Sequence, residues 1–163
     1  MMSFVSWLQT TGPSAWVRDQ SPWLWPLCES LRFMGLVLVV GIAGAFDLRL
    51  MGFLRRIPLA ALKSWMPWAI AGVGINLATG IVFFVGSPYQ YASNWVWWAK
   101  VAFLVVSGAN AVAFETMLSQ SALAIGADED TPTTLKYVGA LSLVSWFSVL
   151  FLGRMLAFIG GTD

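Results

Sequence analysis

Apolar residues run almost without interruption through four stretches of the chain, about 23–46, 65–85, 95–118 and 135–159. Each reaches the roughly 20 residues that an α-helix needs to cross a hydrocarbon core. Continuous runs of this kind predict helices, whereas a membrane barrel shows alternating segments of about ten residues. Pro22 and Pro26 open the first run, Pro67 falls in the first turn of the second, and Thr131 to Thr134 with Pro132 precede the fourth. Proline fits the first turn of a helix because its missing N–H is not needed there. The expected fold is all-α, an integral membrane four-helix bundle. No internal repeat or low-complexity linker divides the chain, so residues 1–163 are read as one transmembrane domain.

Ahead of the first run, Met2 to Gln9 reads as a short amphipathic helix that offers Phe4, Val5, Trp7 and Leu8 to a membrane interface. Gly12 and Pro13 end it, and a second short element around Ser14 to Asp19 carries Trp16 and Val17 toward lipid. Residues 1–22 are therefore expected to form an interfacial collar on the outer surface. The apolar stretch from Phe4 to Leu8 is too short for a signal peptide, so the segment is expected to be retained.

Composition agrees with membrane residence. The chain is 58% hydrophobic and contains ten Trp and eleven Phe; its mean hydropathy is +0.74. A soluble domain of this length does not carry that load. A net charge of +1, without a nucleic-acid-binding motif, leaves no basic field for a nucleic acid. Lys and Arg set the orientation: Arg49, Arg55, Arg56 and Lys63 follow the first span and Lys136 precedes the fourth, whereas Arg18 alone stands clear on the opposite side. The positive-inside rule then places loop 53–64 in the cytoplasm and both termini outside. Trp23, Trp25, Tyr89, Tyr91, Trp95, Trp97 and Trp98 crowd the outer boundary, and Trp65, Trp68 and Tyr137 mark the inner one. Aromatic belts of this sort anchor helices at the headgroup level.

Against this background the ionisable residues within the spans stand out. A charge in a membrane span is expensive and marks a candidate functional position with a partner to be found. Glu29 and Arg32, three apart, share one helix face within salt-bridge reach. Lys100 enters the third span at a similar outer depth, and Arg154 lies about a turn from the outer end of the fourth. These four form a candidate ligand-binding or polar cluster, with Glu29 as the expected partner of Lys100. Lys100, Leu104, Ser107, Ala111 and Glu115, flanked by Asn110, make a stripe expected to face the bundle. At the inner side Asp47, Arg49 and Glu115 form a second polar cluster. Asp47 and Arg49 are two apart and point to different faces, so the expected pair is Arg49 with Glu115. Arg55 and Arg56 are expected to contact anionic lipid. Small and polar residues predict the helix contacts: Gly72, Asn76 and Gly80 on the second span, Ser107 and Asn110 on the third, Ser142 and Ser145 on the fourth. Such residues let backbones approach, and Asn76 is placed to hydrogen-bond across the contact.

Absent residue types exclude much chemistry. With no histidine and the single Cys28, a His-ligated haem, a zinc site and a thiolate cluster lack ligands. No phosphate loop, nucleophile elbow or metalloprotease helix occurs. No enzyme activity, metal or cofactor is expected, which leaves a bound lipid or quinone as the non-protein candidates.

The segments Glu29-Ser-Leu-Arg32, Asp47-Leu-Arg-Leu-Met-Gly52, Pro67-Trp68 and Thr79-Gly80, with Asn94, Lys100 and Asn110, extend over nearly the whole chain. Together they resemble an uncharacterised family of small four-helix bacterial inner-membrane proteins, whose members often have histidine where this chain has Arg32. The resemblance implies a multi-pass protein of the bacterial plasma membrane and supplies no activity. The reading carried forward is a non-catalytic accessory or structural subunit of a larger membrane complex or a homo-oligomer, with other membrane subunits or a second copy as partner. The alternative is a protein that binds or transports a small ligand (an anion, a quinone or a lipid head group) in the outer cationic pocket.

Overall fold

The computed structural model describes residues 2–19 and 22–159, and among them it contains helices and no strand. The chain ends, which bear on the expectation of outward-facing termini, lie outside the described residues. Four rods are long and apolar enough to cross a membrane: Leu24–Leu50, Leu59–Gly86, Trp95–Leu123 and Thr133–Leu156. The protein is an all-α bundle of four such rods.

The first rod is α3 (Leu24–Leu38), which passes through a π-helical turn at Val39–Ala43 into α4 (Gly44–Leu50). It outlasts the expected boundary by a turn and stops in a glycine motif. Gly52 adopts φ +93°, its N–H donates to the Arg49 carbonyl at 3.0 Å, and the Phe53 N–H donates to Leu48 at 3.0 Å. This is a Schellman closure, in which a left-handed residue lets the chain turn back and satisfy the last carbonyls. The second rod breaks between α5 (Leu59–Lys63) and α6 (Met66–Gly86). Pro67 has no N–H to continue the ladder, so the helix restarts around it. The third comprises α8 (Trp95–Ala113), a π-helical turn at Phe114–Leu118 and α9 (Ser119–Leu123). Asn94 caps α8, its side-chain oxygen accepting from the Val96 N–H at 2.9 Å. The fourth is α10 (Thr133–Ile159).

The rods associate as two antiparallel pairs, α3 on α6 and α8 on α10, joined where α4 packs on α10. The α3–α6 and α4–α10 junctions depend on glycine. A Cβ on Gly72 would stand 2.6 Å from the Gly35 carbonyl oxygen, and one on Gly139 would stand 2.8 Å from the Asp47 carbonyl oxygen. Bare backbone is what permits these approaches, the usual device of membrane helix packing. Gly80, expected in the same contact as Gly72, has nothing within 4 Å of its Cβ position. The crossing of α3 and α6 has carried Gly80 away from its neighbour. Asn76 is at the crossing, but its amide donates to Gly72 of its own helix at 2.9 Å instead of reaching across.

At the Trp-rich end α1 (Met2–Gln9) packs on α7 (Pro88–Ala92), and α2 (Gly12–Asp19) packs on α6. Phe4, Trp7 and Trp16 face outward as the collar requires. Val5 and Val17, expected toward lipid, are buried against the protein. Gly12 and Pro13 open α2; α1 is closed by the Thr10 and Thr11 hydroxyls, which donate to the carbonyls of Trp7 and Leu8 at 2.8 and 2.6 Å. At the opposite, arginine-loop end the apolar core is built on Phe46, Leu50, Leu59, Phe114 and Leu135.

Candidate functional site

At the Trp-rich end three aromatic-rich elements converge on Arg32. The Phe83 ring of α6 stacks on Trp25 with centroids 4.7 Å apart, and the Arg32 guanidinium carbon lies 5.0 Å from the Phe83 centroid. A cation over a ring face is attracted by the ring quadrupole, more strongly when half-buried as here. Tyr91 of α7 stands beside it. Burial pushes the Tyr91 phenol above its ordinary pKa, and the Arg32 charge opposes that rise. Lys100 reaches the same region from α8 by running over Gly153: a Cβ there would meet Nζ at 3.4 Å and Cε at 3.6 Å. Arg32 and Lys100 are near enough for their charges to act on each other.

Neither cation has a carboxylate in ion-pair contact among the described residues. Glu29 is exposed and acts on Arg32 only as a more distant charge. The expected pairing of Glu29 with Lys100 is not formed, because α3 packs on α6 and leaves α8 to the other pair. Arg154 is exposed as well, its guanidinium carbon 5.6 Å from the Phe158 ring of its own helix. The cluster thus resolves into two half-buried cations, Arg32 over Phe83 and Lys100 over Gly153, with Glu29 and Arg154 at the surface.

The arginine-loop end is arranged differently from the expectation. Arg49 does not pair with Glu115. Its side chain is fully buried, with Nε donating to the Ile57 carbonyl at 2.7 Å, Nη1 to Thr131 Oγ1 at 3.1 Å, and Nη2 to the carbonyls of Gly126 and Glu129 at 2.9 and 3.4 Å. One guanidinium therefore ties both loops at this end to the end of α4. Glu115 lies on the exposed side of its π-helical turn and pairs with Lys63. Ala111, expected in the buried stripe, is exposed too, so the stripe faces the bundle only from Lys100 to Asn110. Arg55, expected on lipid, meets Asp130 at 3.2 Å, and Lys136 meets the same carboxylate at 3.0 Å. The hydrogen bond from Lys136, helped by the Thr131 N–H and the Arg55 charge, holds the Asp130 carboxyl below its usual pKa.

Thr131, Gly126 and Glu129 escape sequence reasoning as partners of Arg49. Their signal was the density of turn-forming and acidic residues before Pro132; Glu129 Oε2 accepts from the Gly126 N–H at 2.8 Å and sets the turn. Asp128, at φ +63°, donates its N–H to the Arg55 carbonyl at 2.7 Å and links the two loops.

Between the two ends a third group of polar side chains is buried. Asp47 is 4% exposed, its Oδ2 has no hydrogen-bond partner, and Ser142 is within interaction range. Ser107 and Ser145 are each 1% exposed, and their hydroxyls are likewise unpartnered. Asn110 donates across to the Val138 carbonyl at 3.2 Å. Comparison of the chain with family models, with curated proteins and with solved structures gave no match.

Proposed function

We propose that the protein is a non-catalytic, multi-pass membrane protein that binds an anionic group between Arg32 and Lys100. A single observation carries this reading: two half-buried cations at the Trp-rich end have no carboxylate in ion-pair contact among the described residues. Desolvated like charges repel unless something of opposite sign joins them. A phosphate-bearing lipid head group or a small anion would do so, whereas a neutral quinone would not. The aromatic wall of Trp25, Phe83 and Tyr91 suits a ligand at headgroup depth. On this reading the Trp-rich end is the outer face of a bacterial plasma membrane and loop 53–64 is cytoplasmic.

The test is lipid retention by the full chain. Purified protein reconstituted with phosphatidylglycerol is expected to keep bound lipid in native mass spectrometry. Arg32→Gln or Lys100→Met should each weaken binding about tenfold, the worth of one charge-assisted contact. Arg154→Gln serves as the surface control. Equal retention by all three variants, or displacement of no lipid by free phosphate and sulfate alike with wild-type retention in Lys100→Met, would defeat the reading.

A second reading, the accessory or oligomeric subunit, is favoured by the third rod. Only 11% of its apolar window is buried, against 33% for the first, and Gly108 has nothing within 4 Å of its Cβ position. Open small-residue positions of this kind admit a neighbouring helix. Particle mass under mild detergent checks this, since a strictly monomeric, unaccompanied chain contradicts it.

A further inference from the structure

The buried polar layer around Asp47 is independent of the cationic site at the Trp-rich end. Its construction follows from the α4–α10 junction. Gly139 lets α10 approach the Asp47 carbonyl, and the next turn of α10 brings Ser142 into range of the Asp47 carboxylate. Two contacts between α8 and α10 set their register, Asn110 on the Val138 carbonyl and Lys100 over Gly153. Antiparallel helices in that register bring Ser107 and Ser145 to one level, a turn beyond Ser142. The bundle interior therefore holds a buried carboxylate oxygen beside Ser142 and, further along α10, two buried hydroxyls, each without a partner.

Among the described residues no cation is in ion-pair contact with Asp47. Arg49, on the same helix, is committed to loop carbonyls and Thr131. On α10, Lys136 is held by Asp130 and Tyr137 is exposed; on α5, Lys63 is held by Glu115. The π-helical turn Val39–Ala43 has no ionisable residue. A buried carboxylate with no counter-charge is costly in a low-dielectric interior, and taking up a proton removes the cost. Protonated, the carboxyl also gains a donor of its own.

We infer that Asp47 is a membrane-embedded proton-binding site, built with Ser142 where Gly139 brings α10 against α4. The proton joins one carboxylate oxygen and leaves from it again; no other bond changes.

Dicyclohexylcarbodiimide tests this, because it attacks carboxylic acids in apolar surroundings and requires the protonated form. With the full chain in liposomes, modification of Asp47 read by peptide mass spectrometry is expected, with a rate that falls as pH rises. Asp47→Asn should abolish it. Ser142→Ala removes a donor to the charged form and should move the profile to higher pH by about one unit. Absence of modification at Asp47, a rate independent of pH, or an unmoved profile in Ser142→Ala would each overturn the proposal. Protection by sodium ions at fixed pH would overturn it in favour of a metal-cation site. If Asp47→Asn fails to fold, the wild-type pH profile and the sodium comparison still decide.

Discussion

Arg49 and Asp47, two residues apart on one helix, show how little sequence distance says about role. Arg49 is a charged side chain spent on structure. Its donors satisfy carbonyls in both loops at the arginine-loop end, and hydrogen bonds from an ionised donor are worth about 1.5–3 kcal/mol each in net terms. Arg49→Met would leave those buried acceptors bare. A loss of about 2–3 kcal/mol is expected, measured as reduced resistance to denaturant in detergent, together with faster proteolysis in loops 51–58 and 124–132. Arg49→Lys should recover little, since a single ammonium cannot span carbonyls on two loops as the planar fork does. Asp47, by contrast, is left with an unpartnered oxygen, and that is why it carries chemistry that Arg49 does not. Charge at the end of an apolar run made both residues visible in the sequence as candidates. Their partners were not visible, because Gly126, Glu129 and Thr131 stand far along the chain and bind Arg49 largely through backbone carbonyls that any residue type supplies.

At the scale of elements, the pairing of helices turns on which glycines meet backbone. Gly72 and Gly80 lie on the same helix at helical spacing, yet a Cβ at the first would collide with the Gly35 carbonyl and a Cβ at the second would meet nothing. Gly72→Val is therefore expected to force α3 and α6 apart and to lower stability by about 1–3 kcal/mol, the usual cost of overpacking. Gly80→Ala should be neutral or slightly stabilising, because alanine is the better helix former. Thermal unfolding of the two variants in one detergent checks the contrast, and equal behaviour would contradict the crossing point described above. The same logic places Ser142 beside Asp47, since Gly139 allows α10 to come that close.

At the scale of the whole molecule, the two helix pairs meet through the α4–α10 contact, and polar groups are distributed in three layers: the cationic pair at the Trp-rich end, the carboxyl and hydroxyls within the bundle, and the arginine-tied loops at the other end. The Lys and Arg bias predicts the orientation of these layers. Single cysteines at Arg56 and at Trp23, in a Cys28→Ala background, are expected to react with an impermeant maleimide from opposite sides of intact cells. Position 23 should react from outside and position 56 only after permeabilisation. The reverse pattern would place the cationic pair in the cytoplasmic leaflet and change the pool of anions it meets.

The number, type and approximate limits of the spans were determined by the sequence alone, because burying backbone in lipid demands long apolar helices and little else. The ionisable positions within the spans were legible as interruptions of those apolar runs. Which of those charges meet was decided only by tertiary structure. Depth along a helix can be counted from sequence, but the rotation of each helix and the choice of neighbour depend on where two bare backbones touch. Gly35 on Gly72 and Gly139 on the Asp47 carbonyl made that choice. They set Glu29 apart from Lys100, enclosed Arg49 in loop carbonyls, and left Asp47 with Ser142 in a layer where a proton is the simplest counter-charge.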